Sequence, residues 1–380
     1  MEKVGSSNRK SNIELLRILA MIMIVAHHVA VHSGFEFSSN MVTINKLWIL
    51  FIQMGGKIGV DIFVLISGYF MISSKSLKLN KVIKLWIQIF GYSAILFLID
   101  IFLLGDSFSV RGLITGLLPI TYSKWWFAST YFVMFLLSPY LNRFFSGIDR
   151  KIYQKLLLLL ALCWCIIPTF LSVGWQSNSL LWFIFLYALA GYFRLYLNIE
   201  KIKCGFCFIV TAVLILLTFA SAVVFSVIGM KIPFFAEHCT HFYGMEQLPV
   251  VLISIFTFIG FLKLNIGYKS FINVIASSTF GVYLIHDNAY IRYFLWKDLF
   301  NNKEFMQSSW LIPYTILEII IVFVGCATIE LFRIYFIERH YIKAIDRFCG
   351  FVPKSFKSIS ELKFIKRTKQ SLEELFVERK

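Results

Sequence analysis

Long apolar runs separated by short polar segments fill most of the chain. Ten of these runs approach or exceed the length of about 17–25 residues that an α-helix needs to cross a bilayer. They cover residues 13–31, 47–72, 82–104, 126–141, 156–173, 180–197, 204–229, 248–264, 271–291 and 311–336. The pattern predicts an all-α fold: a polytopic transmembrane helix bundle of about ten helices.

The polar segment after the last run suggests two parts. Residues 1–340 are expected to form one transmembrane domain, and residues 341–380 a charged cytoplasmic C-terminal tail. Leu and Phe recur among the charges of the tail, as in residues 371–376 (SLEELF), which is typical of a short helix.

Composition excludes a water-soluble globular protein. Hydrophobic residues make up 58% of the chain and charged residues only 15%, against about 25% charge in soluble domains. A soluble fold would lack a polar shell, so the lipid bilayer is the expected surrounding and the plasma membrane the expected location.

The net charge of +16 raises the alternative of a nucleic-acid-binding protein. Its Lys and Arg do not interleave densely with aromatic residues, so no nucleic-acid partner is predicted. Their positions instead follow the two sides of the membrane. Of the 37 basic residues, 28 fall in alternate connecting segments on the side of the N-terminus, 8 fall on the other side, and Arg17 lies within the first helix. Because basic residues accumulate in cytoplasmic segments, both termini are predicted to be cytoplasmic.

The first apolar run holds four ionisable residues: Glu14, Arg17, His27 and His28. Ionisable groups inside a membrane helix are costly and therefore candidates for function. At about 100° per residue, Arg17 and His28 lie within about 20° of one face, Glu14 about 40° from His28, and His27 well away. His28 lies about 16 Å farther along the helix axis than Arg17. A snorkelling Arg17 and a satisfied buried His28 are the alternatives, but neither explains why the three groups share a face.

Four motifs, in order along the chain, carry a resemblance to a known family. Arg17 is followed by His28. Residues 59–69 (GVDIFVLISGY) form an apolar, Phe-containing run that ends in Ser-Gly-aromatic, residues 125–127 (WWF) precede Ser138-Pro139, and residues 281–286 read GVYLIH. This pattern resembles the acyltransferase family 3 membrane proteins, which modify sugars of surface polysaccharides and related acceptors. The match runs from residue 13 to residue 286.

The resemblance implies transfer of an acyl group, usually acetyl from cytoplasmic acetyl-CoA, to a hydroxyl of an extracytoplasmic polysaccharide or glycolipid. His28 is the expected base and a candidate transient acyl carrier, with Glu14 or Asp61 orienting nearby groups. The anionic donor is expected to bind to Arg17, helped by Lys75 or Arg143.

The same resemblance and topology suggest an outward-facing substrate cavity. His28 and His286 are predicted at similar depth, because each lies about 15 residues beyond the start of a helix that runs outwards. The expected substrate-binding residues are Asp61, Ser67, Trp125, Trp126, Tyr283 and His286. An interfacial belt remains the alternative for the two Trp, and close helix packing for Ser67.

Several alternatives stay open. A transporter or flippase for a polysaccharide or lipid-linked sugar would use a similar cavity, and a succinyl-type acyltransferase would share the chemistry. Many relatives carry an additional extracellular esterase-like domain. The sequence after the last apolar run does not predict such a domain, so this chain is expected to be a stand-alone form, acting alone or with a partner protein. No metal is predicted, although His238 and His241, with Glu237 and Cys239, offer zinc-like ligands in one loop. The oligomeric state is left open.

Overall fold

The computed structural model describes residues 10–74, 76–105, 108–171 and 178–351, and this part of the chain is an all-α helix bundle. The first eight helices in chain order are α1 (Ser11–His32), α2 (Ile44–Met71), α3 (Leu79–Ile99), α4 (Val110–Leu117), α5 (Trp126–Gly147), α6 (Arg150–Ala161), α7 (Ile167–Leu171) and α8 (Ser179–Tyr196). The remainder are α9 (Cys204–Gly229), α10 (Pro233–Glu237), α11 (Leu248–Lys263), α12 (Ser270–His286), α13 (Ala289–Tyr293), α14 (Asn302–Phe305), α15 (Leu311–Phe332) and α16 (Arg339–Phe351).

The predicted polytopic fold is confirmed. Eight helical stretches of the described chain are long and apolar enough to cross a membrane by length and composition. The other two predicted spans are also helical: α5 has 22 residues and α12 has 17. Large apolar side chains remain exposed along α9, among them Phe206, Ile209 and Leu216, which fits a surface in contact with lipid.

One helix ends earlier than its apolar run. The run 271–291 predicts a continuous helix, but α12 ends at His286, and Asp287 leaves the helical path. The side chain of Asn288 then accepts a hydrogen bond from the backbone N–H of Tyr290 and begins the separate helix α13. An N-cap of this kind competes with continuation of the preceding helix. Residues 371–376 of the tail lie outside the described residues.

Helices α1 and α2 form the centre of the bundle. They pack against each other over most of their length, and α1 also contacts α11, α12 and α15. Glycines on α2 allow the close approach: a Cβ at Gly59 would lie 2.6 Å from the carbonyl oxygen of Ala20, and one at Gly56 only 2.2 Å from the ring of His27. Small residues of this kind are the usual means of close helix packing in membranes. We call the end at which α1 ends and α2 begins the outer end, after the predicted orientation.

A buried ion network joins helices at the opposite, inner end. Arg333 donates two hydrogen bonds to Glu330 at 2.7 and 2.8 Å and one to Glu338 at 2.7 Å. Glu330 also accepts from Tyr92 of α3, and Lys84 of the same helix pairs with Glu338. Because a buried charge is costly unless it is paired and hydrogen-bonded, this network fixes α3 against α15 and the start of α16.

The Gly59→Ala protein is expected to be less stable than the wild type, because the added Cβ would clash with the backbone of α1. Overpacking of this kind costs about 1–3 kcal/mol. Thermal unfolding in detergent measures the effect. Gly91→Ala is the matched control: Gly91 lies within α3, and no atom of the described residues lies within 4 Å of an added Cβ, so the midpoint of this variant should not fall. Equal midpoints for the two variants would contradict the close packing of α1 on α2.

Candidate active site

A narrow cavity of about 40 Å³ lies between α1, α2, α5 and α12 in the outer half of the bundle. Met21, Ile24 and His28 of α1 line one wall. Together with Arg17 they are spaced by four, three and four residues, so they form one stripe along the helix. The stripe predicted to join Arg17 to His28 therefore faces the protein interior, and the cavity follows it from His28 to within about one turn of Arg17.

Two imidazoles meet directly at the end of this stripe. His28 Nδ1 lies 2.8 Å from His286 Nε2, and His286 Nδ1 lies 2.6 Å from the carbonyl oxygen of Val282. A carbonyl can only accept, so Nδ1 of His286 carries its proton and, in the neutral ring, Nε2 is the acceptor. His28 must then donate from Nδ1, which leaves the lone pair of a neutral His28 on Nε2. The predicted similar depth of the two histidines agrees with this contact.

Asp287 lies beside the lone pair of His28. Its Oδ1 is 3.8 Å from His28 Nε2, 3.6 Å from His32 Nε2 and 2.9 Å from the guanidinium of Arg292. The guanidinium of Arg292 pairs with the Asp287 carboxylate, and the imidazoles of His28 and His32 lie on its other side. A carboxylate at this place would stabilise a protonated His28.

Two further side chains of the cavity were not expected there. His27, which the helical spacing places away from His28, also lines the cavity, with Nδ1 2.6 Å from the carbonyl oxygen of Gln53. Lys57 lies over the ring of Trp126, 4.9 Å from its centroid, and makes no hydrogen bond or ion pair within the described chain. Its ammonium group, counted in the sequence only as an outer basic residue, is a cation inside the candidate site.

Of the predicted substrate-binding residues, Trp126 and Tyr283 line the cavity and His286 contacts His28. The other three lie behind the wall. Asp61 is fully buried and accepts a hydrogen bond from the indole of Trp182 at 3.1 Å. Ser67 donates to the carbonyl of Phe63, and Trp125 is buried at the start of α5. These three support the helices that carry the site.

The predicted donor-binding residues lie towards the inner end. Arg17 pairs with Glu14 at 3.6 Å, so Glu14 lies beside the guanidinium and about 21 Å along the helix from His28. Arg143 lines a separate open pocket of about 520 Å³, with Ser74 and Asn142 among its other residues. Lys75 lies outside the described residues. Arg17 and Arg143 are therefore not brought into one pocket.

The histidines of the loop after α9 do not converge on one point. His238 Nδ1 lies 2.8 Å from the carbonyl oxygen of Phe234, and His241 Nε2 lies 3.0 Å from that of Thr169. In the described chain, one group of three potential ligands lies close together, with the ligand atoms of His28, His32 and Asp287 within 4.8 Å of one another. The guanidinium of Arg292 already supplies a positive charge to Asp287 at this place.

Comparison with known proteins agrees with the geometry. The family profile described as "Acyltransferase domain" matches residues 10–330. No curated protein and no solved structure matches the chain at a significant level. The matched region contains the whole cavity and every residue of the His28, His286 and Asp287 cluster. The chain is a membrane acyltransferase that belongs to acyltransferase family 3.

Proposed function

We propose that the protein transfers an acetyl group from cytoplasmic acetyl-CoA to a hydroxyl of an extracytoplasmic polysaccharide or glycolipid, at the plasma membrane. Family membership supports acyl transfer, and favours it over transport of an unmodified glycan. The small volume of the cavity, about 40 Å³, favours a short acyl group such as acetyl. The site at the outer half favours an acceptor that enters from outside.

One observation carries the proposal: the hydrogen bonds that leave the His28 Nε2 lone pair beside a carboxylate. Imidazole is the side chain best suited to take a hydroxyl proton near neutral pH. The chain from the Val282 carbonyl through His286 fixes the tautomer, and Asp287 stabilises the imidazolium once it forms. Helix α1 thus supplies the base, His28, and α12 supplies the orienting group, His286. The charge partner, Asp287, directly follows α12.

The proposed step is a direct acyl transfer. The acceptor hydroxyl gives its proton to His28 Nε2 while its oxygen forms a bond to the acetyl carbon. The bond from that carbon to the CoA sulfur then breaks, and the proton passes from His28 to the sulfur. Products are the O-acetyl ester and CoA thiol, and His28 is neutral again.

Arg17 would hold a phosphate of the donor at the inner end of the α1 stripe. A guanidinium suits phosphate because it offers several hydrogen-bond donors in a planar fork. The acyl end of the donor would then have to reach His28, about 16 Å away along the helix. Arg143, which lines its own pocket at the same end, is a second candidate for the anionic part of the donor.

A succinyl group is the second candidate for the transferred acyl group, on the strength of Lys57. The free carboxylate of a dicarboxylic acyl group would pair with its ammonium inside the cavity. Mass spectrometry of the acceptor glycan from cells with and without the protein distinguishes an acetyl from a succinyl increment. An unmodified glycan would contradict both.

The His28→Ala protein is expected to lose acyl transfer by about 10²–10⁴-fold, because it lacks the proposed base. The measurement is acetyl transfer from labelled acetyl-CoA to surface glycan by membranes that contain equal amounts of folded protein. His238→Ala is the control, since that imidazole is exposed and lies outside the cavity. Wild-type acylation by His28→Ala would remove His28 from the mechanism.

Substitution of His286 tests whether it positions His28. The His286→Gln protein keeps an oxygen that can accept from His28 Nδ1, whereas His286→Leu does not. We expect kcat to fall by about tenfold or more in His286→Leu and less in His286→Gln, with a changed pH profile for His286→Leu. Equal losses in both proteins, with the wild-type pH profile, would indicate packing rather than positioning.

Arg17→Gln is expected to raise the KM for acetyl-CoA by about tenfold or more and to change kcat little, because it removes a charge-assisted contact to the donor. Arg150→Gln is the matched control: its guanidinium is exposed near the same end of the bundle, over the ring of Tyr196. A kcat loss at unchanged KM for Arg17→Gln would contradict the donor-binding role.

A further inference from the structure

A second, larger recess lies beside the candidate active site at the outer end. It has a volume of about 550 Å³ and is lined by residues of α4, the segment before α5, and Tyr290 of α13. We call it the outer bay. Ligand pockets typically have volumes of about 300–1,000 Å³, so the bay is large enough for a sugar unit, whereas the catalytic cavity is not.

The lining of the bay is polar and positively charged. Arg111 and Lys124 are its two cations, five of its residues carry hydroxyl groups, and the described residues that line it include neither a carboxylate nor an aliphatic side chain. Within the described chain, neither cation has a carboxylate partner. Lys124 donates to the hydroxyl of Tyr290 at 2.8 Å, which holds the ammonium at the wall of the bay.

Chain connections place the bay next to the catalytic cluster. Tyr290 follows Asp287 by three residues, and Lys124 directly precedes Trp125 and the cavity residue Trp126. The hydroxyl of Tyr290 also donates to the carbonyl of Gly112 at 3.4 Å, so α13 and α4 meet at the floor of the bay. A glycan bound here would lie beside the mouth of the cavity that holds His28.

The basic residues of the two recesses lie on the side of the membrane where basic residues are disfavoured. Only eight of the 37 basic residues are predicted on the outer side. Three of these eight line the two recesses, Lys57 in the cavity and Arg111 and Lys124 in the bay, and a fourth, Arg292, pairs with Asp287 beside His28. Basic residues that topology disfavours are therefore concentrated where an acceptor would bind.

We propose that the outer bay binds an anionic segment of the acceptor, so that the acylated glycan carries carboxylate or phosphate groups. Arg111 and Lys124 pair with the anion, and the hydroxyl groups around them bind the sugar. The identity of the occupant as the acceptor rests on the proposed function, whereas its negative charge rests on the lining of the bay. A lipid headgroup would supply the same anion, but the bay's lining, as far as the structure describes it, includes no aliphatic side chain to contact acyl chains.

Direct binding tests the proposal without requiring turnover. The full-length protein is placed in nanodiscs of phosphatidylcholine and titrated with a fluorescent oligogalacturonate and with its methyl ester, which has the same sugar chain but uncharged, methylated carboxyl groups. Wild-type protein is expected to bind the acid about tenfold more tightly than the ester, with a preference that decreases as salt is added. Arg111→Gln/Lys124→Gln should reduce the preference to about twofold or less.

Two controls separate the bay from general surface charge and from catalysis. Lys46→Gln/Lys231→Gln removes the same charge from the predicted outer side but away from the bay and should retain the preference. His28→Ala should bind the acid as tightly as the wild type does. Loss of acyl transfer is therefore measured with His28→Ala, and loss of anion binding with the double variant of the bay. Only variants that elute from size-exclusion chromatography at the same volume as the wild type, as expected for folded protein, are compared.

Three outcomes would overturn the proposal. The first is equal binding of acid and ester by the wild type, and the second is loss of the preference in Lys46→Gln/Lys231→Gln. The third is displacement of the labelled acid by soluble glycerophosphoglycerol at lower concentration than by unlabelled oligogalacturonate, which would assign the bay to lipid headgroups.

Discussion

The position of the reactive imidazole depends on how closely α1 approaches α2. Gly59 lies against the backbone of Ala20, and Gly56 lies under the ring of His27, so any side chain at either position would push the helices apart. The approach presses one face of α1 against α2 and turns the stripe from Met21 to His28 towards the cavity and α12. Without this contact the hydrogen bond from His28 to His286 could not form at 2.8 Å. Helix packing and chemistry are therefore two results of the same constraint.

Lipid imposes a second constraint on the bundle, because polar groups at membrane depth must find partners within the protein. Asn302 donates to Ser33 at the end of α1 and to Glu318 of α15, both at 2.8 Å, and this ties the segment after α13 to the two helices. At the other end of α15, Glu330 accepts hydrogen bonds from Arg333 and Tyr92. Two buried carboxylates, one near each end of the helix, thus hold α15 in place. The site lies between these two anchored ends, where α12 packs against both α1 and α15.

Helical periodicity was sufficient to predict what lies along one helix, and insufficient for contacts between helices. The spacing from Arg17 to His28 predicts their common face, and apolar length predicts all ten long helices. Asp287 was missed because the apolar run 271–291 predicts helix through that position, although an acidic residue in such a run is itself a signal of function. Lys57 was counted only by its side of the membrane, and neither hydropathy nor charge sorting predicts that it points into the cavity. Asp61 and Trp125 are buried but do not line the cavity, because the side chains that reach it are selected by packing that no sequence pattern encodes.

The early end of α12 has an electrostatic consequence. The aligned peptide dipoles of a helix place roughly half an elementary negative charge at its C-terminus. That terminus lies at His286, and the carbonyl of Val282 in the last turn accepts a hydrogen bond from the imidazole of His286. A proton taken up by His28 would therefore enter a field already oriented to receive it, produced by the backbone of α12. Such a field needs no rearrangement of solvent during the reaction. If α12 continued to residue 291, the negative end of its dipole would lie at the membrane surface and not beside His28.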